Sequence, residues 1–128
     1  MRLLSLCALL CFITPMTVTD VALSVERVEK AEAVCFMDEW YVALVTEPVY
    51  LRSEGKKLCN TVRERIKDRC GVDCCVTIDV GLYYAIKEAK NSENRYERLS
   101  KITAIFKDRC AYEHHFHNQS QETGICTH

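Results

Sequence analysis

The sequence predicts an α+β domain: a small antiparallel or mixed three-stranded sheet with amphipathic helices packed on one face, in the order β-β-α-β-α-α. Three observations predict it. Two runs rich in β-branched and aromatic residues lie close together before Pro48, the apolar period then changes from two to 3.6, and an alternating stretch follows at Cys74–Val80. Each of these elements has a single apolar face, and one sheet-helix layer buries them all.

Ala33–Met37 and Trp40–Val45 read as a β-hairpin, with Asp38-Glu39 as the polar break. One of the two aromatics Trp40 and Tyr41 is expected to face outward, and Pro48, which cannot donate to a sheet ladder, marks the exit from the second strand. Leu58, Val62 and Ile66 recur every four residues with Cys59 and Cys70 bordering the stripe, which predicts an amphipathic helix. Ser53 is its expected cap, Glu54 suits the positive end of the dipole, and Gly71 can take the left-handed conformation that ends a helix. From Cys74 to Val80 the residues alternate, so Cys74 and Cys75 point to opposite faces of a half-buried third strand. Gly81 breaks it. Leu82–Ala89 then reads as a helix, and a final helix carries Tyr96, Leu99, Ile102, Phe106 and Cys110 on one stripe. Val21–Lys30 fits either a short helix or an extended lead-in.

The chain has 128 residues, the size of one domain, and its 4 Gly and 2 Pro are too few for a low-complexity or disordered polymer. Seventeen Lys and Arg against eighteen Asp and Glu leave a net charge of -1, so no global basic field exists to hold nucleic acid. Residues 1–24 read as a signal peptide: Arg2 is the positive start, Leu3–Ile13 the apolar core, and Ala22-Leu23-Ser24 the small-residue cleavage pattern. Thr17-Val18-Thr19 is a weaker cleavage pattern. The apolar run is about half the roughly 20 residues of a membrane span. Residues 25–111 form the expected domain, and 112–128 a polar His-rich tail, in a secreted or extracytoplasmic protein.

The segments Val28-Glu29-Lys30-Ala31-Glu32-Ala33-Val34, Tyr41-Val42-Ala43-Leu44-Val45, the Lys/Arg-rich helix Lys56–Arg69 and Val76-Thr77-Ile78-Asp79 together resemble the sporulation lipoprotein family (YhcN/YlaJ-like) of endospore-forming Firmicutes. The similarity covers roughly residues 25–88 and is one of pattern, with no catalytic signature. It implies a small non-enzymatic α/β domain exported to the outer side of the cytoplasmic membrane and associated with spores or the envelope. Leu6 and Leu10, bulky where the family's lipidation site needs a small residue, precede Cys7 and Cys11. The cysteine content also exceeds what the family leads one to expect.

Nine cysteines are the unusual count, and seven, Cys35, Cys59, Cys70, Cys74, Cys75, Cys110 and Cys126, follow the export segment as disulfide candidates. An odd number leaves one thiol for a disulfide-linked dimer. Cys59 and Cys110, on apolar helix stripes, equally suit reduced core residues. His114, His115 and His117 suit Zn²⁺, Ni²⁺ or Cu²⁺, although a solvated His-rich tail has the same composition. No cofactor motif, GxSxG, HExxH or phosphate-binding loop is present, Cys110 with His114 lacks an orienting group, and Asp79 with Glu88 forms no recognisable acid-base pair. Lys56, Lys57, Arg63, Arg65, Lys67 and Arg69 offer a basic helix face to an anionic envelope or membrane surface, interrupted by Glu54, Glu64 and Asp68. The expected function is therefore a non-enzymatic envelope or spore-associated binding or structural role, whose partner is a protein or envelope component. The alternatives are a secreted disulfide-stabilised interaction protein, which a glycan at Asn118-Gln119-Ser120 would favour, and a metal-binding protein using the tail.

Overall fold

The computed structural model describes residues 13–108. Their order is α1 (Pro15–Leu23), β1 (Val28–Phe36), β2 (Glu39–Thr46), α2 (Arg52–Cys70), β3 (Cys74–Thr77), α3 (Val80–Lys90) and α4 (residues 95–108). The strands form one mixed sheet in the order β1-β2-β3, as an α+β domain. β1 and β2 are antiparallel, and β3 runs parallel to β2 after the α2 crossover.

The helices divide between both faces of the sheet, which corrects the expectation of a single helical layer. α1 and α2 cover one face, where Val18, Ala22, Leu58, Val62 and Ile66 meet Ala33, Val42, Leu44 and Val76. α3 and α4 cover the other, where Leu82, Ile86, Leu99 and Phe106 meet Val34, Tyr41 and Ala43. The reason lies in β2: Tyr41, Val42, Ala43 and Leu44 are all buried, and consecutive strand residues point to opposite faces, so one layer could cover only half of them. Trp40 and Tyr41 divide the same way. Neither faces outward: Trp40 packs half-buried against the first core, and Tyr41 is buried in the second.

Thr14 caps α1 by accepting a hydrogen bond from the Thr17 amide, and Pro15 occupies the first turn, where its missing N–H costs nothing. Val18 and Ala22 of this helix are fully buried. The chain then turns at Arg27, whose φ is 79°. That left-handed conformation is costly for a side-chain-bearing residue, and three contacts hold it: its carbonyl accepts from the Glu47 amide at 2.9 Å, its guanidinium donates to the Pro48 carbonyl at 2.8 Å, and it lies 3.6 Å from the Glu54 carboxylate. β1 carries a bulge between Val28 and Lys30.

Met37 and Asp38 join β1 to β2 with φ values of 52° and 63°. Two positive φ angles in a two-residue connection are the mark of the type I′ hairpin turn, whose twist matches that of the strands. α2 begins two residues earlier than a Ser53 cap requires: Leu51 holds the cap position and makes no side-chain cap bond, so Ser53 lies in the first turn. Gly71, with φ 73°, ends α2 as expected, and its amide donates to the Lys67 carbonyl at 2.9 Å.

β3 is shorter than the alternation predicted. It ends at Thr77 because Asp79 caps α3, its carboxylate accepting from the Leu82 amide at 3.2 Å. Lys90, at the last turn of α3, lies 3.2 Å from the Glu32 carboxylate and donates to the Ala33 carbonyl at 3.0 Å, which fastens α3 to β1. Thr103 of α4 is a buried polar side chain, satisfied by the Leu99 carbonyl at 2.7 Å. No helix among the described residues is long and apolar enough to cross a membrane.

Candidate functional site

After β2 the chain passes Val49 and Leu51 and enters α2, and this entry lies beside the end of β3. Between them is a cleft of about 160 Å³. Arg52, Gly55, Lys56 and Cys59 line it from α2, while Thr77 and Ile78 line it from the β3 end. Arg52 and Lys56 stand one helical turn apart, so both cationic stems share a face of the helix. The positive end of the α2 dipole adds to their field. Gly55 lets the helix approach: a Cβ there would meet Ile78 Cδ1 at 3.0 Å and Val49 Cγ1 at 3.6 Å. Apolar walls with two cations suit a small group with an apolar body and a negative end, and the volume is below that of a pocket for a drug-sized ligand.

Several basic residues of α2 are engaged within the fold. Arg65 donates to the Ser24 carbonyl at 3.1 Å, Arg63 donates to Asn60 at 2.9 Å, and Lys67 pairs with Asp73 at 3.1 Å. Of the expected basic face, Lys57 and Arg69 point to solvent and Lys56 lines the cleft. Arg52 joins that set from a position outside the expected face.

The cysteines fall into two chemical groups. Cys35, Cys70 and Cys74 carry free thiols, Cys35 exposed and the other two buried, and Cys59 is buried on the α2 stripe. Burial pushes the Cys74 thiol up to about 12, with Asp73 and Cys70 adding to the rise and Arg63 opposing it. Burial also raises Cys70 against the charge of Arg69, and burial with the charge of Asp38 raises Cys35. Such thiols stay protonated near neutral pH and are poor nucleophiles. Cys75 is disulfide-bonded. Cys110, Cys126 and the candidate metal ligands His114, His115 and His117 also lie outside the described residues. Among the described residues no group of three or more His, Cys, Asp or Glu is placed to hold a metal ion.

Asp79 and Glu88 sit as a helix cap and an exposed helix carboxylate, which the structure does not bring together as a pair. The cleft escaped the reading of the sequence because its walls come from two separated stretches with no shared motif. One local signal existed: a glycine inside a strongly patterned helix, where it costs about 1 kcal/mol relative to alanine unless a close approach needs it. Compared with protein-family models, with curated proteins and with solved structures, the chain matches none.

Proposed function

We propose that this chain is a non-enzymatic, exported domain of the cell envelope or spore surface, and that it binds a small anionic or amphipathic group of an envelope component. The cleft carries this reading, because Arg52 and Lys56 line it together with the apolar side chains of Val49 and Ile78. The Cys75 disulfide supports an oxidising compartment, where such bonds persist. The resemblance to the sporulation lipoproteins over roughly residues 25–88 supports the envelope. Fractionation of source cells tests the reading. The chain is expected in the envelope fraction, and Arg52→Glu with Lys56→Glu is expected to release it to the soluble exported fraction. Recovery of the unaltered chain from the cytosol, or full retention of the double variant, would remove the proposal.

Tyr50 and Leu51, 88% and 59% exposed beside the cleft, favour a second reading, a secreted disulfide-stabilised protein that docks an apolar partner surface. A glycan at Asn118 of the native protein would replace the first reading with this one.

A further inference from the structure

We infer that β1 is a docking edge for a second copy of this chain, and that two copies join antiparallel about an axis between their Ala31 residues into one continuous sheet. In the order β1-β2-β3, β1 has β2 on one side and is an edge of the sheet on the other, and its nine residues make it the longest of the three strands. An edge strand presents backbone N–H and C=O groups that can template another strand. The hairpin fixes which groups these are. Phe36 and Glu39 flank the two-residue turn and so exchange hydrogen bonds, and alternation makes Val34 with Tyr41 and Glu32 with Ala43 the next such pairs. The backbone groups of Ala31, Ala33 and Cys35 therefore point away from β2. The Ala33 carbonyl agrees, since it accepts from Lys90 of α3 at 3.0 Å.

Lys90 and the charges of β1 select the register. Setting Ala33 opposite Ala31, Ala33 or Cys35 of the second copy would each require the Ala33 carbonyl, which Lys90 already holds. Setting Cys35 opposite Cys35 would place Glu32 against Asp38 of the second copy, and like charges directly opposite are destabilising. Setting Ala31 opposite Ala31 needs only the Ala31 groups at its centre. That register places Lys30 against Glu32 of the second copy, once on each side of the axis.

The same charges select the occupant. A two-fold interface uses one patch twice, so the patch must be its own complement. Lys30 and Glu32 meet that condition, being two residues apart on one face of the strand with opposite charge. Lys30 is exposed, and the Glu32 carboxylate, 3.2 Å from the Lys90 ammonium, has acceptor positions for a second cation. The cleft is lined from the end of β3, at the other edge of the sheet, so pairing at β1 leaves it open whatever it binds.

Sedimentation equilibrium of the full chain, at up to about 0.5 mM, is expected to show a dimer. A denaturing gel without reductant should return it to monomer, because backbone pairing forms no covalent bond. Lys30→Glu sets like charges opposite each other on both sides of the axis and is expected to weaken the dimer at least about tenfold, with an unchanged circular dichroism spectrum. Cross-linking reads the register. Lys30→Cys and Glu32→Cys chains, mixed under mild oxidation, are expected to link to each other through these two positions, as mass spectrometry of the joined peptides shows. Neither chain should link to itself there. A chain that stays monomeric throughout, a dimer indifferent to Lys30→Glu, a mixture without the 30–32 link, or a Glu32→Cys chain linked to itself at that position overturns the inference.

Discussion

The Tyr41 hydroxyl donates a 2.9 Å hydrogen bond to Oε2 of Glu39, two residues earlier on the same strand face, while Oε1 of that carboxylate lies 3.1 Å from the Lys107 ammonium of α4. The Tyr41 ring meets Phe106 of the same helix edge-on, with centroids 5.3 Å apart. Both the apolar body and the polar end of one side chain are therefore engaged with the elements that hold α4 to β2.

Burial, then the hydrogen bond and charge of Glu39, push the Tyr41 phenol up to about 12. The folded value exceeds the ordinary one of about 10, so the stabilisation is fully present below pH 10 and is lost as pH rises through 12. Phenolate absorbance should show a late-titrating tyrosine that disappears in Tyr41→Phe. In Glu39→Gln it should titrate earlier but still above the ordinary value, because burial is the larger cause. An unchanged late phase in Tyr41→Phe would contradict this.

The hydrogen bond from Lys107, followed by that from Tyr41, holds the Glu39 carboxyl below the usual glutamate range. Here the folded value is depressed, so the contribution is present above about pH 4.3 and is lost as pH falls through the folded value. A carboxyl carbon NMR titration should place Glu39 low in the native chain and higher in Lys107→Ala. Identical titrations in the two chains would show that the Lys107 contact has no effect on the carboxylate.

Met37, with φ 52°, occupies a turn position that suits asparagine or glycine better than an unbranched apolar residue. The contact its sulfur makes with the Tyr96 hydroxyl, at 3.8 Å, is exposed and weak. Met37→Asn should stabilise the chain by about 0.5–1 kcal/mol, read as a higher urea midpoint at constant slope. A lower midpoint would mean that the sulfur contact outweighs the backbone strain.

Val18 and Ala22 are fully buried and Val21 nearly so, all in the core shared with α2 and the sheet. A chain beginning at Val25 should be less stable than one beginning at Thr14 by at least about 3 kcal/mol, since burying one valine contributes about 1.5 kcal/mol or more. Urea unfolding of the two chains measures the difference. Equal midpoints would show that α1 adds nothing to the first core.

The helix Arg52–Cys70 was legible because its four-residue apolar recurrence and Gly71 are local signals. α1 was not, because Val18, Val21 and Ala22 follow an apolar run that reads as an export signal, and nothing local marks where one pattern ends. The unbroken apolar stretch Tyr41–Val45 already indicated a strand covered on both faces, yet the neighbouring hairpin signal outweighed it. The end of β3 was misplaced because Asp79 fits the alternation of a strand as well as the cap of a helix. Of the candidate sites, the opposed directions of Cys74 and Cys75 were readable from alternation alone. Which of the two would be oxidised was not, since alternation assigns each sulfur a face and not a partner.

The adjacency of Cys74 and Cys75 sets an order of events during maturation. In the unfolded chain Cys70, Cys74 and Cys75 are near neighbours with similar access to any oxidant. Once β3 pairs with Tyr41 and its neighbours, the pleat sends the Cys74 sulfur into one core and the Cys75 sulfur into the other. Strand pairing thus acts as a proofreading step that makes one of two chemically equal sulfurs the one to be oxidised, so oxidation before β3 forms should scramble the bond and oxidation afterwards should not.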